Sequence, residues 1–362
     1  MQGLLVAVLA LAMFLPAAQG GTSTIGTPST AVAITPLLHR LTIPSTGTIR
    51  MLLVPISWPG ASQVQSEARL ETMLAGVAAY YGSISQGRLA ITGDVAATVV
   101  LAGPALAGRG LADSDVDDAL RKTGVDPAAY DRVIYAYPQL ADADWNGQAD
   151  LAIDAPGQWV DLNGDEPTAQ LAHELGHTLG LVHAHSYRCS RGVLAGRCTI
   201  DEYGDETDLM GSGSNAETST FGAIERYQLG WLTHVAGVVA SGTYQLGPID
   251  APDSGPLPRA LVIETPRGEL WVERAVARGT FFVHLAHNSR IDWASRLLES
   301  GQNQGVFSVV SPFAGAGVSV TPVAAADGVL TLAITIGAQR TTSFAHARFD
   351  SFAVSSAPWA QT

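Results

Sequence analysis

The sequence predicts an α+β chain: an α/β sheet domain followed by an all-β, sandwich-like domain. Three observations predict this. Up to about residue 236, apolar runs of strand length alternate with segments of helical period. Beyond about residue 237 short strands alternate with Gly/Pro turns and no helical period returns. An apolar share of 47% in 362 residues is enough for a sizeable core.

The chain opens with an almost wholly apolar run, Leu4 to Leu15, followed by Pro16-Ala17-Ala18-Gln19-Gly20. The run is too short to anchor in a bilayer and reads as a signal peptide over residues 1–20, although its first residues carry no Lys or Arg. Residues 21–45, rich in Thr, Ser, Gly and Pro, read as a flexible leader or short propeptide. Export places Cys189 and Cys198 in an oxidising compartment. A disulfide closing a small loop is therefore expected, two free thiols being the alternative. The net charge of −13, with no run of Lys or Arg, argues against nucleic acid and anionic membrane surfaces as partners.

A domain is expected over 46–236. Met51–Ile56 reads as a buried strand, and Leu70, Met73, Leu74, Val77 and Tyr81 follow helical spacing with Ser66 as N-cap. Leu89–Leu101 is β-rich, Ser114–Thr123 is a short polar helix ending at Gly124, and Val133–Tyr137 is a strand. A short strand at Gln158–Asp161 precedes a helix that starts at Pro167. Ser186–Thr220 reads as irregular, and Phe221–Leu229 as a last helix. In the β domain expected over 237–362, Ala260–Thr265 and Glu269–Glu273 flank Pro266-Arg267-Gly268 as a hairpin. Phe281–Leu285, Gly305–Val310 and Val329–Ile336 continue the pattern.

The chemistry concentrates in His173-Glu174-Leu175-Gly176-His177-Thr178-Leu179-Gly180-Leu181-Val182-His183. Histidines four apart on a helix share a face, so His173 and His177 can present imidazoles to one point. Zn2+ accepts ligands of this kind at about 2 Å. Glu174 is rotated away from the ligand direction yet reaches a water on the metal, which suits a general base. Gly180, free to take a left-handed conformation, ends the helix so that His183 swings back as third ligand. Three protein ligands leave a fourth position for water, as a catalytic zinc requires. A chance match to the extended string is roughly a one-in-tens-of-thousands event for ordinary composition. The competing reading is a helix bearing solvated surface histidines. His185 is a second candidate for third ligand, disfavoured by the spacing from Gly180.

The eleven-residue string resembles the extended zinc motif of the metzincin metallopeptidases. Tyr203-Gly204-Asp205-Glu206-Thr207-Asp208-Leu209-Met210-Gly211 resembles their Met-turn, with Met210 in the position that packs beneath the histidines. The wording of that turn, with Tyr80-Tyr81-Gly82-Ser83 and Tyr227-Gln228-Leu229-Gly230-Trp231, is most similar to the gametolysin-like branch. The resemblance covers residues 46–236 and implies a mixed twisted sheet, an active-site helix and a Met-turn. Some metzincins carry a Tyr two residues after the Met; here that position is Ser212.

The expected function is a secreted, extracellular or periplasmic, zinc-dependent endopeptidase acting on protein or peptide substrates. Its water is activated by zinc and deprotonated by Glu174. The substrate is expected beside an edge strand, for which Gln158–Asp161 is the candidate. The alternatives are a non-catalytic secreted binding protein that keeps the same shell, and a purely structural zinc, which would need a fourth ligand. Asp161-Leu162-Asn163-Gly164-Asp165-Glu166 resembles part of a Ca2+ loop but lacks its full spacing and distal Glu. A turn leading into the helix, with Asp165 or Glu166 favouring its N-terminus, is the competing reading.

Overall fold

The computed structural model describes residues 29, 31–104, 113–213, 220–252, 254–275, 277–287, 293–299 and 305–337. The signal peptide expected over 1–20, and the leader up to residue 28, lie outside the described residues. No described helix is long and apolar enough to cross a membrane.

The first sheet is built on Gly47–Ser57. It runs in the order Leu89–Val95, Gly47–Ser57, Arg132–Tyr137, Trp159–Asn163, Gly147–Ala149, with Val99–Val100 also paired to Gly47–Ser57. All its pairings are parallel except the last, where Gly147–Ala149 runs antiparallel to Trp159–Asn163. Both faces are covered, which explains the unbroken apolar run of the central strand. Ile49, Met51 and Leu53 pack under helix α1 (Glu67–Ile84). Leu52, Val54 and Ile56 face helix α2 (Asp113–Lys122), through Val116 and Leu120. Ser66 caps α1 by accepting from the Arg69 N–H at 3.2 Å. The buried Tyr81 hydroxyl of α1 donates to the Ala172 carbonyl at 2.7 Å, which fixes α1 against helix α3 (Thr168–Thr178).

The second sheet has eight strands and crosses the expected boundary near residue 237. Its order is Val32–Ala33, Val235–Gly237, Ala260–Thr265, Gly268–Arg274, Phe281–Ala286, Arg296–Glu299, His185–Cys189, Cys198–Asp201. The stretch expected to be irregular from Ser186 thus contains a hairpin. A disulfide joins Cys189 to Cys198 across it, and His185–Cys189 lies parallel to Arg296–Glu299. The third sheet, Gly242–Leu246, Val329–Ile336, Val318–Ala326, Phe313–Gly315, shares one hydrophobic cluster with the second. Gly305–Val310, expected as a strand, contributes a single bridge from Phe307 to Phe281, and its Val309 and Val310 are exposed rather than packed. Helix α4 (Ala223–Gln228) sits on the other face of the second sheet against Trp271 and Val262.

Residues 31–45, expected within a flexible leader, run as a strap along the molecule. Val32–Ala33 forms the edge of the second sheet. The N–H groups of Leu37 and Leu38 donate to the Glu269 carboxylate, and the Ser45 hydroxyl donates to the Leu229 carbonyl at 2.6 Å. Leu38 and Ile43 are 1% and 5% exposed. Their apolar side chains override the linker-like composition around them. Leu38→Ala and Ile43→Ala are each expected to lower unfolding free energy by about 2–5 kcal/mol. Leu37→Ala, at a side chain 56% exposed, should stay within about 0.5 kcal/mol. Denaturant titrations check this, and equal small costs at Leu37 and Leu38 would contradict a packed strap.

Candidate metal centre

The α3 helix ends in a Schellman motif. The Leu181 N–H reaches the Gly176 carbonyl at 3.1 Å, and the Gly180 N–H reaches the His177 carbonyl at 2.9 Å. Gly180 has φ +94, the left-handed value that the turn requires. The buried Arg132 guanidinium donates to both the hydroxyl and the carbonyl of Thr178, placing a cation at the helix C-terminus. Leu41 and Ile43 of the strap close over Gly180, and the Trp293 indole donates to its carbonyl at 3.1 Å. The chain therefore reverses at a fixed point and returns His183 to the helix face.

One ring nitrogen each from His173, His177 and His183 lies within 4.8 Å of the other two. The His185 ring, whose Nδ1 bonds the Glu202 carbonyl at 2.6 Å, is not in that group. The Nδ1 atoms of the three are all engaged: His173 with the Leu209 carbonyl (2.7 Å), His177 with the Leu181 carbonyl (2.8 Å) and His183 with the Glu202 carboxylate (2.9 Å). Carbonyl and carboxylate oxygens only accept, so each Nδ1 carries the proton and each Nε2 keeps a free lone pair. Burial pushes all three imidazoles below the ordinary histidine range, His183 to about 3 with the charges of His173 and His185 adding to the effect. Neutral, converging nitrogens of this tautomer fit a cation of borderline softness such as zinc.

Glu174 lies in the same cleft, 3% exposed, with Oε1 accepting from the Gln170 amide at 2.7 Å. Burial first, and then the nearby Glu166 carboxylate, raise it to about 8 against the lowering effect of Gln170. The strand Gly147–Ala149 passes directly over it: a Cβ on Gly147 would come 2.6 Å from Glu174 Oε1. This strand, not Gln158–Asp161, is the exposed edge, because Trp159–Asn163 is paired on both sides. Of two further residues of the cleft, Glu202 has no signal in the sequence and Tyr203 stands only as the first residue of the string that resembles a Met-turn. Glu202 orients His183, and Tyr203 lies over the His183 ring with centroids 4.0 Å apart. Both follow the hairpin His185–Asp201, which carries them to the site from outside the helix of the histidine string.

Met210 is fully buried under the helix, where its sulfur occupies the space a Cβ on Gly176 would enter. The candidate calcium run serves other ends. Asn163 bonds the Leu140 N–H and the Trp145 carbonyl, and Asp165 pairs with Arg69 at 3.5 Å. Burial, with Asp113 and Glu174 adding like charge, pushes the Asp161 carboxyl well up, which disfavours the anionic form a cation would need.

The sequence model of the gametolysin peptidases, M11, matches residues 70–263, just over half of the chain. The chain belongs to the gametolysin peptidase family. It is accordingly a zinc metallopeptidase, and the three-histidine cluster of this gametolysin relative fits the metal. No curated protein matches it. Among solved structures it is similar to archaemetzincin from Methanopyrus kandleri, at 19% identity and a TM-score of 0.29, over 51% of this chain and 94% of that one. It is also similar to metalloproteinase-II from Bacteroides fragilis, at 14% identity and a TM-score of 0.31, over 59% of each chain.

Two effects oppose one another at Gly176. Alanine in a helix interior is favoured over glycine by about 1 kcal/mol. The added Cβ would lie 2.5 Å from the Met210 sulfur, with the Phe221 ring 3.5 Å away. Overpacking of an enclosed side chain costs about 1–3 kcal/mol, so Gly176→Ala is expected to destabilise on balance. A raised denaturation midpoint would show that Met210 yields freely.

Proposed function

We propose that this gametolysin relative is a secreted zinc endopeptidase in which His173, His177 and His183 hold the metal and Glu174 is the general base. The observation that carries the proposal is the tautomer set: three Nδ1 protons are committed to acceptors, and three Nε2 lone pairs are left facing one cleft that also holds Glu174. A zinc ion held there supplies Lewis acidity to the scissile carbonyl and lowers the pKa of water.

The protein residues do the rest. A substrate backbone lies antiparallel to Gly147–Ala149, the terminal strand of the first sheet. Gly147, lacking a Cβ, lets that strand approach Glu174 closely. A cation held by the histidines would oppose the burial that raises Glu174, and the ionised Glu174 carboxylate takes the proton of the attacking water and delivers it to the leaving nitrogen. Gln170 holds its Oε1 in place for both transfers. Met210 closes the floor as the Met-turn residue. Glu202 fixes the His183 ring from outside the ligand set.

Secretion is supported by the apolar run Leu4–Leu15 with its small-residue exit and by the disulfide Cys189–Cys198. Residues 46–236 supply the peptidase machinery. The β structure after residue 237 forms a sandwich-like unit, supported by the hydrophobic cluster shared by the second and third sheets.

Glu174→Gln is expected to keep its zinc and lose roughly three orders of magnitude in turnover. Peptide cleavage assayed with and without chelator, alongside metal analysis, tests this; near-full activity in the variant would remove Glu174 from the role of base. His177→Ala is expected to lose the metal itself. Stoichiometric zinc in that variant would refute the ligand assignment.

A further inference from the structure

A second histidine centre lies behind the first. His284, on Phe281–Ala286 of the second sheet, is 4% exposed. Its Nε2 is 2.9 Å from Asp205 Oδ2 and its Nδ1 is 3.1 Å from Glu273 Oε1. Both carboxylates already accept elsewhere. Asp205 Oδ1 takes the N–H and the hydroxyl of Thr207, and Glu273 Oε2 takes the Ala223 N–H at 2.9 Å. Acceptors on both sides require both ring nitrogens to donate, so the ring bridges the two acids as an imidazolium.

What this bridge grips is the turn over residues 205–212. The Asp205 N–H reaches the Ala184 carbonyl at 3.4 Å, the Ala184 N–H reaches the Met210 carbonyl at 2.8 Å, and the Ser212 N–H returns to the Asp205 carbonyl at 3.1 Å. Asp208 takes the N–H groups of Met210 and Gly222, each at 2.7 Å. The turn thus holds residue 184, next to His183, and presents the Leu209 carbonyl that orients His173.

We infer that His284 is a positioning residue for the metal centre: clamped between Asp205 and Glu273, it sets the turn 205–212 and through it the rings of His173 and His183. The inference rests on the three-histidine ligand set proposed above. It gives the β structure after residue 237 a task at the metal.

The test measures zinc affinity of the full chain by chelator competition, with thermal unfolding of the apo form measured in parallel. Wild type is expected to bind one zinc, and His284→Gln to bind it about tenfold more weakly, the lower end for outer partners of a ligand set. Leu332→Ala, in the core of the third sheet and 0% exposed, is the control for general loosening. It should lower the melting temperature and leave zinc affinity within about twofold, as a remote site does. Asp205→Asn combined with His284→Gln should be no worse than the poorer single variant. Unchanged affinity in His284→Gln, or an equal loss in Leu332→Ala, overturns the inference. If His284→Gln does not fold, Thr207→Val, which removes the hydroxyl donor on Asp205, should weaken zinc in the same direction, and wild-type affinity there overturns the inference. A wild-type chain that binds no zinc defeats the ligand set first and this inference with it.

Discussion

The geometry at the metal centre depends on one reversal of the chain, at Gly180. A helix can supply two imidazoles to a point from one face, but a third from the same helix would lie a turn away. The left-handed residue after the C-cap folds the backbone back, and the Schellman hydrogen bonds hold it there. Much of the surrounding structure converges on that reversal. Arg132 reaches it from the first sheet, Leu41 and Ile43 from the N-terminal strap, and Trp293 from the distant half of the chain. Burial of the imidazoles themselves disfavours their charged form.

The same economy governs the outer ring of hydrogen bonds. Two of the three histidines are oriented by backbone carbonyls, Leu209 and Leu181, which cannot change charge. Only His183 has an ionisable partner, Glu202, and that carboxylate is part-exposed at the mouth of the cleft. The buried acids of the turn, Asp205 and Asp208, are satisfied by donors outside the three-histidine cluster. For Asp205, burial disfavours the charge, yet the hydrogen bond from His284 and those from Thr207 hold its carboxyl below the usual range.

Features encoded within one or two helical turns were readable in the sequence. Helix α1 declared itself by its apolar period and by Ser66; the histidine string, Glu174 and Gly180 all belong to one helix and its exit. Features that depend on a remote partner were not. The hairpin from His185 to Asp201 is a strand pair because Arg296–Glu299 lies alongside it, and nothing local announces that. Gly147–Ala149 is too short and too poor in β-branched residues to read as a strand, yet it is the edge above Glu174. Residues 31–45 have the composition of a linker and are held by Glu269, a carboxylate far along the chain. Glu202 and Tyr203 reach the cleft through that unreadable hairpin.

The parallel pairing of His185–Cys189 with Arg296–Glu299 has a consequence for the order of events in the cell. A nascent chain emerges from its N-terminus. The helix, its histidines and Glu174 are complete while the strand that must lie beside the returning loop is still untranslated. The hairpin His185–Asp201 gains its parallel neighbour only once residue 299 has been made. The connectivity therefore separates in time the making of the histidine string from the pairing that fixes the hairpin leading to Glu202 and Tyr203.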